Sequence, residues 1–124
     1  MLRVARPFQG DDMNEFVKDA DAQKALDFLR FQADAAGEAE AHLGYIKGYT
    51  KVVIANEMQK HLDKPLAAQE REAHRSQAYL DNIKAEQEAK KAHAVFTWKK
   101  QAAVLTIEVW RSLNATRRSE GKMQ

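Results

Sequence analysis

After Pro7, one proline, Pro65, interrupts the whole chain of 124 residues. Proline removes a backbone donor and turns the residue before it away from helical geometry. A chain with so few breakers has few places to turn, and Asp63-Lys64-Pro65 is the sharpest of them. On either side stand long stretches rich in Ala, Glu, Lys, Arg and Gln. Alanine alone occurs 21 times, and this mixture is the composition of long helices. Scarce Gly and Pro also argue against a turn-rich β-sandwich.

Apolar residues recur in steps of three and four, the period of an amphipathic helix. The first stripe reads Ala22, Leu26, Leu29, Ala33, Ala36, Leu43, Ile46, Val53 and Met58, with Glu40 and Thr50 as interruptions. A helix is therefore expected from about residue 20 to about residue 62. Gly37, Gly44 and Gly48 lie inside it and mark a bend, a loop, or a close approach of another helix. A short connecting helix is expected over 67–74. Ser76 is the candidate N-cap of a second long helix reaching about residue 118, where Asn114, Ser119 and Gly121 suggest fraying. That helix carries two stripes, one through Leu80, Ile83, Val95, Trp98, Ala102, Leu105, Val109 and Leu113. The other passes through Ala85, Ala89, Ala92, Phe96, Ala103, Ile107 and Trp110.

The expected fold is all-α: two long antiparallel helices, a short connecting helix and an N-terminal arm. Residues 1–19 form the arm and a short helix over 12–19, with Met13, Phe16 and Val17 on one face; residues 20–124 form a single helical domain. Two helices in a hairpin bury one stripe each. The wide arc of Val95, Phe96, Trp98, Ile107 and Trp110 then needs another copy, so Phe96, Trp98, Ile107 and Trp110 are the candidate self-association residues of a homo-oligomer. The competing architecture is a bent three- or four-helix bundle folding back between Gly37 and Gly48.

No stretch approaches the roughly 20 apolar residues of a membrane span, and the first residues lack the apolar run of a signal peptide. A cytoplasmic protein without a membrane partner is expected. Cysteine is absent, which excludes disulfides, thiolate metal sites and thiol nucleophiles. No phosphate loop, nucleophile elbow or zinc-protease motif occurs. Glu38/His42 and Glu70/His74 have i,i+4 spacing, which reads as surface pairing because the Glu-x-x-His element of di-iron bundles is missing. Asp19, Asp21, Asp27 and Asp34 are spread along a helix and read as solvation. No catalytic residue, metal or cofactor is expected, and the chain is read as a non-enzyme.

Charge points to partners more than the small net value of +2 does. Residues 97–124 hold six basic and two acidic side chains, a distribution that attracts a polyanion or the acidic head of a neighbouring copy; the alternative is a solvated helix end whose cations meet the negative end of the helix dipole. In Tyr45-Ile46-Lys47-Gly48-Tyr49-Thr50-Lys51, cations alternate with aromatics as single-stranded nucleic acid requires: bases stack and phosphates are neutralised. Tyr45, Tyr49, Lys47 and Lys51, continued by Lys60 and Lys64 and joined by Arg117 and Arg118, are the candidate DNA contacts. The alternative is that the tyrosines edge the core and the lysines are solvated.

Three segments carry a resemblance: Ala68-Gln69-Glu70-Arg71-Glu72-Ala73, Tyr79-Leu80, and Ile107-Glu108-Val109-Trp110-Arg111-Ser112-Leu113-Asn114-Ala115-Thr116-Arg117-Arg118. Residues 20–118 resemble small helical bacteriophage proteins whose genes sit among recombination and replication functions. The layout is similar to the phage recombination mediator family. That resemblance implies an oligomeric, ring-like assembly that binds single-stranded DNA and helps a RecA-like recombinase to load; a recombinase or single-strand-binding protein is then the protein partner, in the cytoplasm of the infected host. It does not transfer DNA-binding residues position by position. The chain departs from the family at Ser76-Gln77, where a proline-containing break is usual. A structural helical adaptor in phage assembly or host takeover is the reading from a different class.

Overall fold

A computed structural model describes residues 16–123. Among the described residues the regular elements are all helical: α1 (Asp19–Phe31), α2 (Ala33–Met58), a 3-10 turn (Gln59–His61), α3 (Leu66–Arg75) and α4 (Gln77–Met123). They fall into two compact units. Among the described residues, one joins 16–32 with 99–123; the other comprises Ala33–Trp98.

Helix α1 begins at an extended Lys18 whose N–H donates to the Asp21 carboxylate at 3.0 Å. This is the acidic half of a capping box; an ammonium cannot accept a bond, so the other half is missing. Asp19 and Asp21 in the first turn and Arg30 in the last complement the helix dipole. Residues 16–18 are not helical, so the short helix expected over 12–19 does not extend through them; its remaining residues, with the arm before them, lie outside the described residues. The expected helix over 20–62 is also divided. Gln32, at φ −105° and ψ 3°, ends α1 while its N–H still donates to the Phe28 carbonyl. Neither glycine nor proline stands there, and nothing in the local sequence explains the break.

The three glycines lie inside α2 instead of bending it. A Cβ on Gly37, Gly44 or Gly48 would meet no atom within 4 Å. Among the described residues, nothing makes the close approach expected at Gly44 and Gly48.

In the unit 33–98, α3 packs on α2 and on the 3-10 turn. Ala73 there is fully buried. The break at Asp63-Lys64-Pro65 falls where expected: Lys64 N–H closes a turn on His61, and Pro65 caps α3, its carbonyl accepting from Gln69 N–H. Ser76 joins α3 to α4 without a proline. Its hydroxyl donates to the Ala73 carbonyl at 2.6 Å and accepts the Tyr79 N–H at 3.2 Å. The sequence-predicted N-cap thus also closes the helix before it.

Solvent exclusion runs in steps of three and four. On α2 the withdrawn positions include Ala36, Ala39, Leu43, Ile46, Thr50, Val53 and Glu57; on α4 they include Asn82, Glu86, Ala89, His93 and Phe96. This is the spacing of a coiled-coil seam. Thr50 is a seam residue, not an interruption, because it has a partner: the amide of Asn82, only 7% exposed, donates to the Thr50 hydroxyl at 2.6 Å. That hydroxyl in turn donates to the Ile46 carbonyl.

The other unit repeats the pattern with Ala22, Ala25 and Leu29 on α1 and Ala103, Ile107, Trp110 and Asn114 on α4. Its polar tie is the Trp110 indole N–H, which donates to Asp19 at 2.8 Å. Helix α4 continues to Met123, past the fraying expected at Asn114, Ser119 and Gly121. Among the described residues, no buried hydrophobic side chain is larger than valine. The buried hydrophobic positions are thus small alanines and valines, and a long-range polar contact ties each unit.

Two outcomes follow for stability. Thr50→Val strands the buried Asn82 amide and costs about 1–3 kcal/mol. The double variant Thr50→Val/Asn82→Leu recovers most of that loss, giving a positive coupling in a urea-unfolding double-mutant cycle. Gly44→Ala, in open space inside a helix, raises stability by about 1 kcal/mol in the same assay; a loss would mean that the glycine is packed.

Candidate functional site

The alternation of tyrosine and lysine reads differently once α2 is a helix. Successive residues turn by about 100°, so residues two apart point to opposite flanks. Ile46, Thr50 and Val53 face the seam. Tyr45 and Tyr49 therefore border one side of it and Lys47 and Lys51 the other. The alternating cations and aromatics therefore do not form one composite patch.

The tyrosine flank is a groove of about 500 Å³. Tyr45, Tyr49, Val53 and Glu57 line it from α2, and Ala78 and Asp81 line it from α4. The two phenol rings stack with centroids 5.7 Å apart and planes 19° apart, and Tyr45 remains 63% exposed. Two carboxylates lie in this wall. Glu57 is paired with Lys60 at 3.0 Å, and its side chain is only 13% exposed. Asp81 accepts from the Gln77 amide at 2.8 Å. An aromatic wall flanked by carboxylates repels phosphate and suits a cation, whose charge is attracted by ring faces.

The lysine flank is exposed at both Lys47 and Lys51. Lys60 and Lys64 do not continue it along α2. Lys60 lies in the 3-10 turn against Glu57, and Lys64 lies in the following turn, its carbonyl accepting from the Gln69 amide at 2.8 Å. Arg117 and Arg118 are on α4, where they line a concave surface with Arg111, Trp110 and Glu108.

The four candidate self-association residues separate as well. Phe96, Ile107 and Trp110 are half-buried at seam positions within the chain. Trp98 is 71% exposed. Val95 and Leu105 are exposed too, and with Trp98 and Ala102 they repeat the steps of three and four on the side of α4 away from the seam.

The dispersed acids have separate structural tasks. Asp19 holds Trp110, Asp21 caps α1, and Asp27 accepts from Gln23 at 2.9 Å. His74 Nδ1 lies 2.6 Å from the Glu70 backbone carbonyl, not its carboxylate, and the imidazole packs edge-on against Tyr79. Among the described residues no three His, Asp or Glu side chains gather as a metal site, and no helix is long and apolar enough to cross a membrane. Sequence reasoning missed Asn82, Asp81 and Glu57; the available signal was the three-four spacing that runs through Asn82 and Thr50.

No family model, curated protein or solved structure matches the chain.

Exposed Trp98 gives a direct test of self-association. The wild-type protein is expected to scatter light as a species larger than 14.1 kDa at micromolar concentration. Trp98→Ala should shift it toward monomer without lowering thermal stability, whereas Trp110→Ala should destabilise the fold itself. A monomeric wild type would refute this.

Proposed function

We propose that the chain is a non-enzymatic, self-associating helical accessory protein of the phage recombination type. It binds single-stranded DNA through its phosphates and presents the strand to a recombinase. In this reading the helical segments of each unit pair antiparallel, for which the Asp19–Trp110 and Thr50–Asn82 contacts are the support. The observation that carries the DNA reading is the flank of α2 that holds Lys47 and Lys51, exposed to solvent and separated from the groove carboxylates. The resemblance to the mediator family supports it independently.

Two lysines on one chain bind a strand weakly, and repeating them through an oligomer raises avidity when one strand spans several copies. The base-stacking part of the original expectation is dropped, since Tyr45 and Tyr49 lie on the acidic flank. The exposed Trp98 and Leu105 favour a second reading, a helical adaptor that recognises protein by an apolar helix face.

Fluorescence anisotropy with labelled oligonucleotides at several salt concentrations separates the two. Single strands should bind in a length-dependent way and weaken steeply with salt, because bound phosphates release counterions. Lys47→Ala/Lys51→Ala should lower affinity and flatten the log–log salt slope by about 1.4 per engaged copy, at roughly 0.7 per phosphate contact on single strands. On oligonucleotides too short to span two copies, Tyr45→Ala/Tyr49→Ala should leave that slope unchanged. Absence of single-strand binding at low salt removes the DNA reading and leaves the adaptor.

A further inference from the structure

The Tyr45/Tyr49 groove has a chemistry that the DNA reading does not use. Its wall offers two partly exposed phenol rings and the carboxylates of Glu57 and Asp81. Lys60 partly neutralises Glu57. A carboxylate carries about four acceptor positions, so one ion pair does not saturate it. Asp81 is exposed and holds only a neutral amide, that of Gln77, among the contacts described above. The ligand that satisfies both features is a planar cation that stacks on a ring while its N–H groups reach a carboxylate, which is the chemistry of arginine rather than lysine.

The chain supplies such groups itself. Arg111 and Arg118 are seven residues apart on α4, so they lie on one helix face about 10.5 Å apart at 1.5 Å per residue. Both line the concave surface near the end of that helix, and both are exposed. The segment 97–124 carries six cations against two anions, while residues 33–98 carry nine cations against ten anions. Charge complementarity therefore favours the basic end of α4 as the occupant of the groove.

We infer that the Tyr45/Tyr49 groove of one copy receives the Arg111/Arg118 face of a second copy. Guanidinium groups stack on the phenols and pair with Asp81 and Glu57. The contact is head-to-tail: each copy offers a groove and a basic end, and neither surface is consumed by its own kind. Such heterologous contacts build rings where the rotation closes and filaments where it does not. The inference rests on the self-association in the proposed function but not on DNA binding, and it assigns Arg118 to a neighbouring copy instead of to phosphate.

A charge exchange tests this on the DNA-free protein. Asp81→Arg and Arg118→Asp are each made alone and then mixed in equal amounts, with self-association followed by sedimentation velocity at low and high salt. Each variant alone should associate about tenfold more weakly than wild type, equivalent to about 1.4 kcal/mol. The mixture should regain association, because the carboxylate introduced on the tail of one variant meets the guanidinium introduced in the groove of the other. Tyr45→Ala/Tyr49→Ala should weaken association without changing single-strand affinity per copy in short oligonucleotides. Circular dichroism on every variant checks that the helices persist; where Asp81→Arg unfolds, Asp81→Asn replaces it and should weaken association alone. A monomeric wild type, association insensitive to both charge reversals, or no recovery on mixing of the folded reversals would each overturn the inference. Loss of DNA affinity in Arg118→Asp with association intact would also overturn it and return the arginine to phosphate. Because association is read without DNA, failure of single-strand binding leaves this result intact.

Discussion

The hydrogen bond from Asn82 to Thr50 is the constraint around which the unit 33–98 is organised. It sits in a seam whose other withdrawn positions are largely alanine, valine, leucine and isoleucine. Apolar contacts are non-directional and therefore tolerant of sliding. A buried amide is not tolerant, because any register but one leaves its donor unpaired. The polar pair thus contributes less to total stability than to choosing one alignment of α2 and α4, the role that single polar seam residues have in coiled coils. Trp110 and Asp19 occupy the same logical place in the other unit.

The small size of the seam residues governs what the surface looks like. Burial of a methyl or isopropyl group gains far less than burial of leucine or tryptophan, at about 0.8 kcal/mol per CH₂ group. Small side chains also draw helices toward the close end of the usual interaxial range. The larger seam residues, Phe96 and Trp110 among them, are only half-buried, and Tyr45, Trp98 and Leu105 stand exposed outside the seam. The interaction surfaces and the modest core are two results of one choice of residue size.

The helices and two of their joints were legible in the sequence, because their signals are local. Pro65 and Ser76 act through their own backbone and hydroxyl, and both stand where the sequence places them. The break at Gln32 carried no such mark. Thr50 looked like a flaw in an apolar stripe because its justification, Asn82, is 32 residues away. The tyrosine–lysine alternation misled for a different reason: in a linear string residues two apart look adjacent, and on a helix they diverge. The glycines of α2 suggest a neighbour that is not found among the described residues.

The two polar contacts span very different lengths of chain. Asn82 and Thr50 are 32 residues apart, while Trp110 and Asp19 are 91 apart. Closing the longer loop from an open chain costs about 1 kcal/mol more entropy, from the logarithmic dependence on loop length. The order of assembly is thereby biased: the stretch around Pro65 and Ser76 closes on itself first, and the segments that flank it come together last. During synthesis that sequence is reinforced. Residues 33–98 emerge complete while the partner of α1 is still to be made, so Ala22 and Ala25 stay uncovered until the segment after Trp98 has left the ribosome.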